Sequence, residues 1–280
     1  MTGPKSRWVV KSAAAIGGAL VVVGMLGAGA LDRSPRAFPS YVPVAGLTLI
    51  AHAAGGMPNA VYTNSREAFD ASYRRGFCLI ETDFRFARDG KLVLVHDWSD
   101  AYGPLSQLDL LLAGPPISAD FMAHATRYGL TPQDLSGLLT WMAAHPSVSI
   151  ITDTKEDNVR FLRALAQRLD ATAKSRFIVQ IYSAEELPEA RRLGFEHIIF
   201  TLYKSEMSDA DVIDVARREN LFGVTMPVAR ARTGLAPRLV AAGVRVFAHT
   251  VNSAKEGAAL AKAGVAGVYT DYLTPAAPCR

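Results

Sequence analysis

Short runs of β-branched and aromatic residues alternate with longer amphipathic segments from residue 47 onward. The short runs predict eight strands, at residues 47–51, 78–83, 148–153, 177–181, 197–202, 222–226, 244–251 and 267–271. The segments 66–75, 156–173, 184–193, 210–219 and 254–263 have a 3.6-residue apolar period, which predicts helices. Because eight strands alternate with helices, the pattern predicts an α/β fold, a closed TIM (β/α)8 barrel of parallel strands.

The pattern is interrupted after the second strand. The turn signal Arg88-Asp89-Gly90-Lys91 precedes the apolar run 92–96, and it predicts a hairpin that returns His96 to the barrel mouth. Residues 97–130 are too long for a simple βα loop, which predicts a small insertion beside the mouth.

The N-terminal segment is apolar throughout. Residues 12–31 carry no charge, and Lys5, Arg7 and Lys11 precede them. This length predicts a transmembrane signal anchor with a cytoplasmic N-terminus, and Ala28-Gly29-Ala30 leaves a cleaved signal peptide as the alternative. We therefore expect a leader and linker at residues 1–36 and a catalytic barrel at 37–280. The barrel would lie outside the cytoplasm at the cell envelope, anchored to the membrane or secreted.

Charge and cysteine content narrow the function classes. The formal net charge of +4 arises entirely in residues 1–36, so the barrel is balanced at 25 basic and 25 acidic residues. A balanced surface argues against nucleic acid as a partner, because nucleic-acid binding needs clustered Lys and Arg. The two cysteines, Cys78 and Cys279, do not form the framework of a disulfide scaffold. We expect Cys78 to be a buried apolar residue, with a single bridge left open.

Polar residues gather where the predicted strands end. Glu81 and Asp83 are two positions apart on one strand, so both side chains point to one face and can bind one divalent cation. His52 and His96 follow other strand-like runs, and imidazoles titrate near neutrality as acid and base chemistry on a phosphoester requires. The carboxyl ends of barrel strands meet at one mouth, so these residues predict an active site there.

The order of these residues resembles the glycerophosphodiester phosphodiesterase family, within the phosphatidylinositol-phospholipase-C-like superfamily of barrels. The similarity runs in order from His52 to Asp271. It comprises His52, Asn64, Gly76 with Glu81 and Asp83, Asp89-Gly90, His96-Asp97, Asp153-Thr154-Lys155, Thr250-Val251-Asn252 and Thr270-Asp271.

The resemblance implies a role for each matched residue. Glu81, Asp83 and Asp153 would bind one divalent cation, Mg²⁺ or Ca²⁺. His52 and His96 would be the acid and base in either order, and Lys155 would help offset charge on the phosphodiester. The substrate would be a small phosphodiester or a lipid headgroup, attacked by a neighbouring hydroxyl of its own glycerol or by water.

The sequence departs from the family pattern at three positions. Ala53 stands where an Arg commonly follows the first His, Asp153 replaces a Glu, and His249 occupies a frequently aromatic position. Backbone N–H groups of Gly55-Gly56 or the side chain of Lys204 are candidates to replace the Arg. Further candidates for substrate binding are Gln180, Tyr182, Lys204, His249 and Asn252.

Two other functions remain open at this point. The Asp153-x-Lys155 arrangement also resembles the sphingomyelinase D group of phospholipases, which act on intact lipid, although the loop His96-Asp97-Trp98 lacks that group's cysteine. The other alternative is an envelope binding protein that keeps the barrel without turnover, for which Ala53 is the only support.

Overall fold

The computed structural model describes residues 40–98, 114–126 and 128–278. Eight parallel strands form a closed barrel in which the first and second barrel strands pair to complete the ring. In chain order these strands are β2 (Thr48–Ala51), β3 (Leu79–Phe86), β6 (Ser149–Thr154), β7 (Phe177–Ile181), β8 (His197–Thr201), β9 (Gly223–Pro227), β10 (Val246–His249) and β11 (Gly267–Thr270). The predicted TIM barrel is confirmed.

The barrel strands are buried on both faces. Ile50, Ile151, Ile178, Ile199 and Phe247 pack together as one inner layer. Their chain neighbours, such as Leu49, Ile150 and Val179, belong to the larger outer core. Because successive strand residues point to opposite faces, this alternation explains why the strands read as continuous apolar runs in the sequence.

Helices cover the outside of the barrel. They are α1 (Arg66–Arg74), α2 (Ser118–Ala123), α3 (Leu135–Ala144), α4 (Asn158–Ala166), α5 (Ala171–Lys174), α6 (Leu187–Arg192), α7 (Asp209–Arg218), α8 (Val228–Ala231), α9 (Leu235–Ala241) and α10 (Ala254–Lys262). Several begin at a side-chain cap, as where Ser65 accepts the Ala68 N–H of α1.

The predicted hairpin after the second barrel strand is present. Strand β4 (Leu92–Leu94) pairs antiparallel with β3 and with β5 (Gln133–Asp134). The Val95 N–H then donates to the Asp83 carbonyl at 3.0 Å, which brings His96 beside β3 at the mouth. A separate parallel pair, β1 (Val42–Val44) and β12 (Leu273–Pro275), lies outside the barrel sheet.

Some element boundaries differ from the prediction. The helix predicted at 156–173 is two helices, α4 and α5, because the Asp170 side chain caps the Ala173 N–H and starts a new helix. Helices α2, α3, α8 and α9 were not predicted. The strand predicted at 244–251 is shorter and covers Val246–His249.

The predicted leader, residues 1–36, lies outside the described residues, as does part of the predicted insertion, residues 99–113 and 127. Within the part of the chain that the structure describes, none of the helices combines the length and the hydropathy needed to cross a membrane. The division at residue 36 stays a prediction.

Cys78 differs from the expectation. It is exposed and disulfide-bonded, so the interpretation as a buried apolar residue is wrong. Cys279, the other cysteine of the chain, lies outside the described residues. The chain just before it packs beside Gly76, where an added Cβ would lie 2.8 Å from Pro278 Cα.

We expect Cys78→Ser to lower the free energy of unfolding by about 2–5 kcal/mol, because a disulfide restricts the unfolded chain. Denaturant unfolding with and without a reductant measures the effect. The reductant should destabilise the parent protein and leave Cys78→Ser unchanged. Equal stability of parent and variant under oxidising conditions would contradict the prediction.

Candidate active site

The site is built one layer above the inner apolar layer of the barrel. Moving two residues along a strand keeps the same face, so Ile50 leads to His52, Ile151 to Asp153 and Phe247 to His249. The same step leads to the other polar residues of this layer, which are Glu81, Gln180, Thr201 and Asp271. The pleat of the strands therefore collects polar side chains at the mouth.

Three carboxylates meet on the adjacent strands β3 and β6. Asp83 and Asp153 are direct register partners, and Glu81 lies two residues earlier on the same face of β3. All three are buried, and one oxygen from each lies within 4.8 Å of the others. The structure thus brings together the three residues predicted as metal ligands.

Two neighbouring side chains hold Asp153. Lys155 Nζ donates to Oδ2 at 2.5 Å and lies 4.0 Å from Asp83 Oδ1. The Tyr182 hydroxyl donates to Oδ1 and accepts the Thr154 N–H. Burial would lower the pKa of Lys155, but the charges of Asp153 and Asp83 raise it above its usual value. Lys155 therefore stays cationic beside the carboxylates.

The carboxylate cluster fits a divalent cation. Burial and the charge of Asp83 raise the pKa of Glu81 to about 8, and burial and the charge of Asp153 raise the pKa of Asp83. Three buried carboxylates with one lysine are short of positive charge, which a cation would supply. An all-oxygen set of carboxylates is the chemistry that Mg²⁺ and Ca²⁺ prefer.

His52 is held by a buried carboxylate. Its Nδ1 lies 3.0 Å from Asp271 Oδ1, so Nδ1 carries the hydrogen and Nε2 is the atom left for proton transfer. Burial would lower the pKa of His52, but the hydrogen bond to Asp271 and the charges of Glu81, Asp271 and Asp83 raise it to about 9.

His96 has a similar arrangement from a different part of the chain. Its Nδ1 lies 2.7 Å from Asp97 Oδ2. Arg85 donates through Nη2 to Asp97 Oδ1 at 3.0 Å and through Nε to the His96 carbonyl at 2.8 Å. Asp97 thus supports His96, and each histidine keeps one ring nitrogen for the cavity.

A cavity of about 170 Å³ connects these groups. It is lined by His52, Tyr62, Glu81, Asp83, His96, Asp153, Lys155, Gln180, Thr201, Tyr203, His249, Thr250 and Tyr269. Of the residues predicted to bind substrate, Gln180 and His249 lie on its wall. The remaining three, Tyr182, Lys204 and Asn252, lie outside that wall.

The family comparison agrees with this geometry. The chain matches the model of the glycerophosphoryl diester phosphodiesterase family over residues 52–121 and 140–274, more than half of its length. The chain belongs to this family. It is therefore a phosphodiesterase, as the resemblance implied, and this family depends on divalent metal. A comparison with curated protein sequences finds no match.

Solved structures share the fold at low identity. A protein named as a glycerophosphoryl diester phosphodiesterase from Silicibacter pomeroyi DSS-3 is 19% identical over 84% of this chain and 91% of its own, with a TM-score of 0.65. A Thermotoga maritima glycerophosphodiester phosphodiesterase is 18% identical, with 81% and 95% coverage and a TM-score of 0.60. An Oleispira antarctica phosphodiesterase in complex with its product sn-glycerol-3-phosphate is 17% identical, with 80% and 93% coverage and a TM-score of 0.63.

The loop after His52 has an unusual backbone conformation. Ala53, Ala54 and Gly55 have φ values of 48°, 67° and 93°, which non-glycine residues rarely adopt. Ser72 Oγ donates to the Ala54 carbonyl at 2.6 Å and leaves no room for a Cβ at Gly55. This conformation aims the Ala53 N–H at Glu81 Oε2, 2.7 Å away.

The same loop corrects one expectation. The N–H groups of Gly55 and Gly56 donate to the carbonyls of His52 and Asp271 at 2.7 and 3.0 Å. They are already used in the fold, so the suggestion that they replace the missing arginine is wrong.

One hydrogen-bond arrangement occurs twice in this family member. Asn64 Nδ2 donates to Asp83 Oδ2, and Asn64 Oδ1 accepts from Thr82 Oγ1 and the Asp83 N–H. Asn252 makes the same three bonds to Asp271 and Thr270. One copy orients a predicted metal ligand, and the other orients the carboxylate behind His52.

Because Asn64 and Asn252 orient different carboxylates, we expect their substitution to affect different properties of the enzyme. Asn64→Gly, which keeps the residue's positive φ of 47° accessible, is expected to weaken metal affinity about 10–100-fold. Asn252→Ala is expected to lower kcat while leaving metal affinity unchanged, because Asp271 contacts His52 and not the carboxylate cluster. Metal titration and steady-state kinetics on both variants test this. Weakened metal binding in both variants would contradict the assignment.

Tyr62 lines the cavity and was not predicted. Its ring centroid lies 4.8 Å from that of His52 and 4.5 Å from that of His96. Burial and the charge of Asp271 raise its pKa. No periodicity marks an irregular loop residue, so only the folded chain identifies it.

Proposed function

We propose that this chain hydrolyses glycerophosphodiesters or related phospholipid headgroups by histidine acid and base catalysis, with one Mg²⁺ or Ca²⁺. The observation that carries the proposal is the placement of His52 and His96 in one cavity with the carboxylate cluster. Each histidine has its Nδ1 anchored on a carboxylate, so each Nε2 is available for a proton.

The reaction needs two proton transfers and charge stabilisation. One histidine removes a proton from the attacking water or glycerol hydroxyl, and the other protonates the leaving oxygen. Where the glycerol hydroxyl attacks, water then opens the cyclic phosphate that forms. Lys155 places a positive charge beside the reacting phosphoryl group. Asp271 and Asp97 keep the two imidazoles oriented throughout.

Glu81, Asp83 and Asp153 would hold the cation. When bound, it would polarise the phosphoryl group and offset negative charge on its oxygens. The cluster is buried, which strengthens both effects because little water screens the charges.

Two observations support a glycerol-containing substrate. Family relatives are named for glycerophosphodiesters, and the Oleispira antarctica protein holds sn-glycerol-3-phosphate as its product. The cavity of about 170 Å³ is below the ~300–1,000 Å³ of typical ligand pockets. A phosphoryl group with a small polyol suits this size better than a long acyl chain.

We also propose that the barrel works outside the cytoplasm at the cell envelope. The disulfide at Cys78 supports this location, since disulfides persist mainly in oxidising compartments. The apolar, uncharged residues 12–31 support a membrane anchor or an export signal. Protease accessibility of the barrel in intact cells, spheroplasts and lysed cells tests it. Digestion only after lysis, with protection in both intact cells and spheroplasts, would refute it.

The decisive experiment is an activity assay on the purified protein. Water-soluble glycerophosphodiesters and intact lysophospholipids are incubated with Mg²⁺, with Ca²⁺ or with EDTA. Metal-dependent release of the alcohol from the soluble diesters would support the proposal. Turnover of intact lipid alone would favour the sphingomyelinase-D-like function, and tight binding without product would favour the non-catalytic function.

A further inference from the structure

An aromatic corner lies beside the cavity, at the ends of β7 and β8. The Tyr182 and Tyr203 rings meet edge to face, with centroids 5.7 Å apart and an interplanar angle of 88°. Lys204 Nζ lies 4.7 Å from the Tyr182 centroid and 5.1 Å from the Tyr203 centroid. Two such faces are the kind of surface that binds a quaternary ammonium. Here the protein's own ammonium group already occupies both.

Among the described residues of this rim, Lys204 differs from the other lysine and arginine side chains because it forms no ion pair. Lys155 is paired with Asp153, and Arg85 is paired with Asp97 and Glu156. For Lys204, no carboxylate oxygen in the described ranges 40–98, 114–126 and 128–278 lies within 4.0 Å.

The surroundings of Lys204 favour the arrival of an anion. Burial lowers the pKa of Lys204, and the charges of Lys155 and Arg85 lower it further. The charge of Asp153 raises the pKa, but that carboxylate is already paired with Lys155. Glu186 attracts Lys204 from a distance, but its Oε2 already accepts from Asn158 Nδ2 and the Tyr182 N–H. A negative group from outside would relieve this repulsion.

Tyr203 lies between Lys204 and the cavity. Its ring lines the cavity, and Lys155 Nζ lies 5.3 Å from its centroid. His249 packs against the same ring with centroids 6.0 Å apart, and burial lowers its pKa to about 4, so it adds no positive charge. Because Tyr203 lines the cavity and also contacts Lys204, the alcohol portion of a diester that leaves the cavity past Tyr203 would approach Lys204.

We propose that Lys204 forms a subsite for a second anionic group, so that the enzyme prefers glycerophosphodiesters whose alcohol carries a further phosphate over those that carry choline. This inference rests on the proposed function and specifies the headgroup charge that the enzyme prefers. The Tyr182 and Tyr203 rings position the ammonium group, and the absence of a carboxylate within 4.0 Å among the described residues leaves it for the substrate.

The test compares three diesters that differ in headgroup charge. The full-length protein is assayed with glycerophosphoinositol 4-phosphate, glycerophosphoinositol and glycerophosphocholine. We expect kcat/KM to be about tenfold higher with the additional phosphate, and choline to be the poorest substrate. Lys204→Gln should remove the advantage of the phosphate, and Lys204→Glu should reverse the order of the phosphorylated and choline diesters. Equal kcat/KM for these two diesters in the parent protein would overturn the proposal.

Two further measurements keep the test specific. Lys262→Glu makes the same change in net charge at the exposed C-terminal end of α10, away from the mouth, and should preserve the order of substrates. Calorimetric titration of His52→Ala with the same three diesters measures preference without turnover. If no diester is hydrolysed, the proposed function fails while the binding order still decides this inference. A binding order that ignores the additional phosphate, or that is unchanged when Lys204→Glu is added, would refute it.

Discussion

His52→Ala is expected to lower kcat/KM for glycerophosphodiester hydrolysis by about 10²–10⁴-fold, the usual contribution of one acid or base. The side chain lines the cavity with its Nδ1 3.0 Å from Asp271 Oδ1, and no other imidazole in the described part of the chain contacts that carboxylate. Steady-state kinetics with saturating Mg²⁺ or Ca²⁺ measures the loss.

A matched control separates catalysis from folding. His124 is exposed and lies at the end of α2, so His124→Ala should keep parental kinetics. His52→Ala should still gain thermal stability on metal addition, because its ring contacts Asp271 and not the carboxylate cluster. Activity within threefold of the parent would remove His52 from the catalytic assignment.

Glu81→Gln is expected to abolish metal-dependent activity and the stabilisation that metal provides. A cation at 100 times its Kd would stabilise the parent by about 2.7 kcal/mol, which raises Tm by roughly 2–4 °C per kcal/mol in a domain of this size. The amide keeps an oxygen to accept the Ala53 N–H but removes one anionic ligand. Thermal unfolding with EDTA, Mg²⁺ and Ca²⁺ tests this. An undiminished metal-induced rise in Tm would show that Glu81 is not a ligand.

We also expect the stability of the metal-free protein to depend on pH through Glu81. Glu81 has a pKa raised from 4.5 to about 8, so the folded state binds more protons than the unfolded state between these values. Stability in EDTA should therefore fall as pH rises from about 4.5 through 8. His52, raised from 6.5 to about 9, adds a loss in the same direction between those values. The fall should be shallower in Glu81→Gln, since the amide does not ionise, and a steeper fall would contradict this account.

Local patterns determined much of this molecule. The eight barrel strands, the return of His96 and the shared face of Glu81 and Asp83 follow from strand periodicity and turn chemistry, which act over a few residues. The order of motifs from His52 to Asp271 was enough to indicate the family that the comparison shows.

Capping and covalent pairing were less visible in the sequence. The break between α4 and α5 depends on one aspartate side chain inside an otherwise helical period. The apolar neighbours of Cys78 suggested a buried thiol, but Cys78 forms a disulfide. Pairing of cysteines depends on where distant parts of the chain meet, which local sequence does not show.

The sequence by itself determined the barrel, the family and the residues that meet at its mouth, since these depend on a period of two and on short motifs. Only the tertiary structure decided what each polar side chain contacts. It placed Tyr182 on Asp153, Asn252 on Asp271, Tyr62 between the two histidines and Lys204 over two tyrosine rings. Such contacts join residues from different strands and loops, and their distances depend on barrel closure and not on sequence spacing.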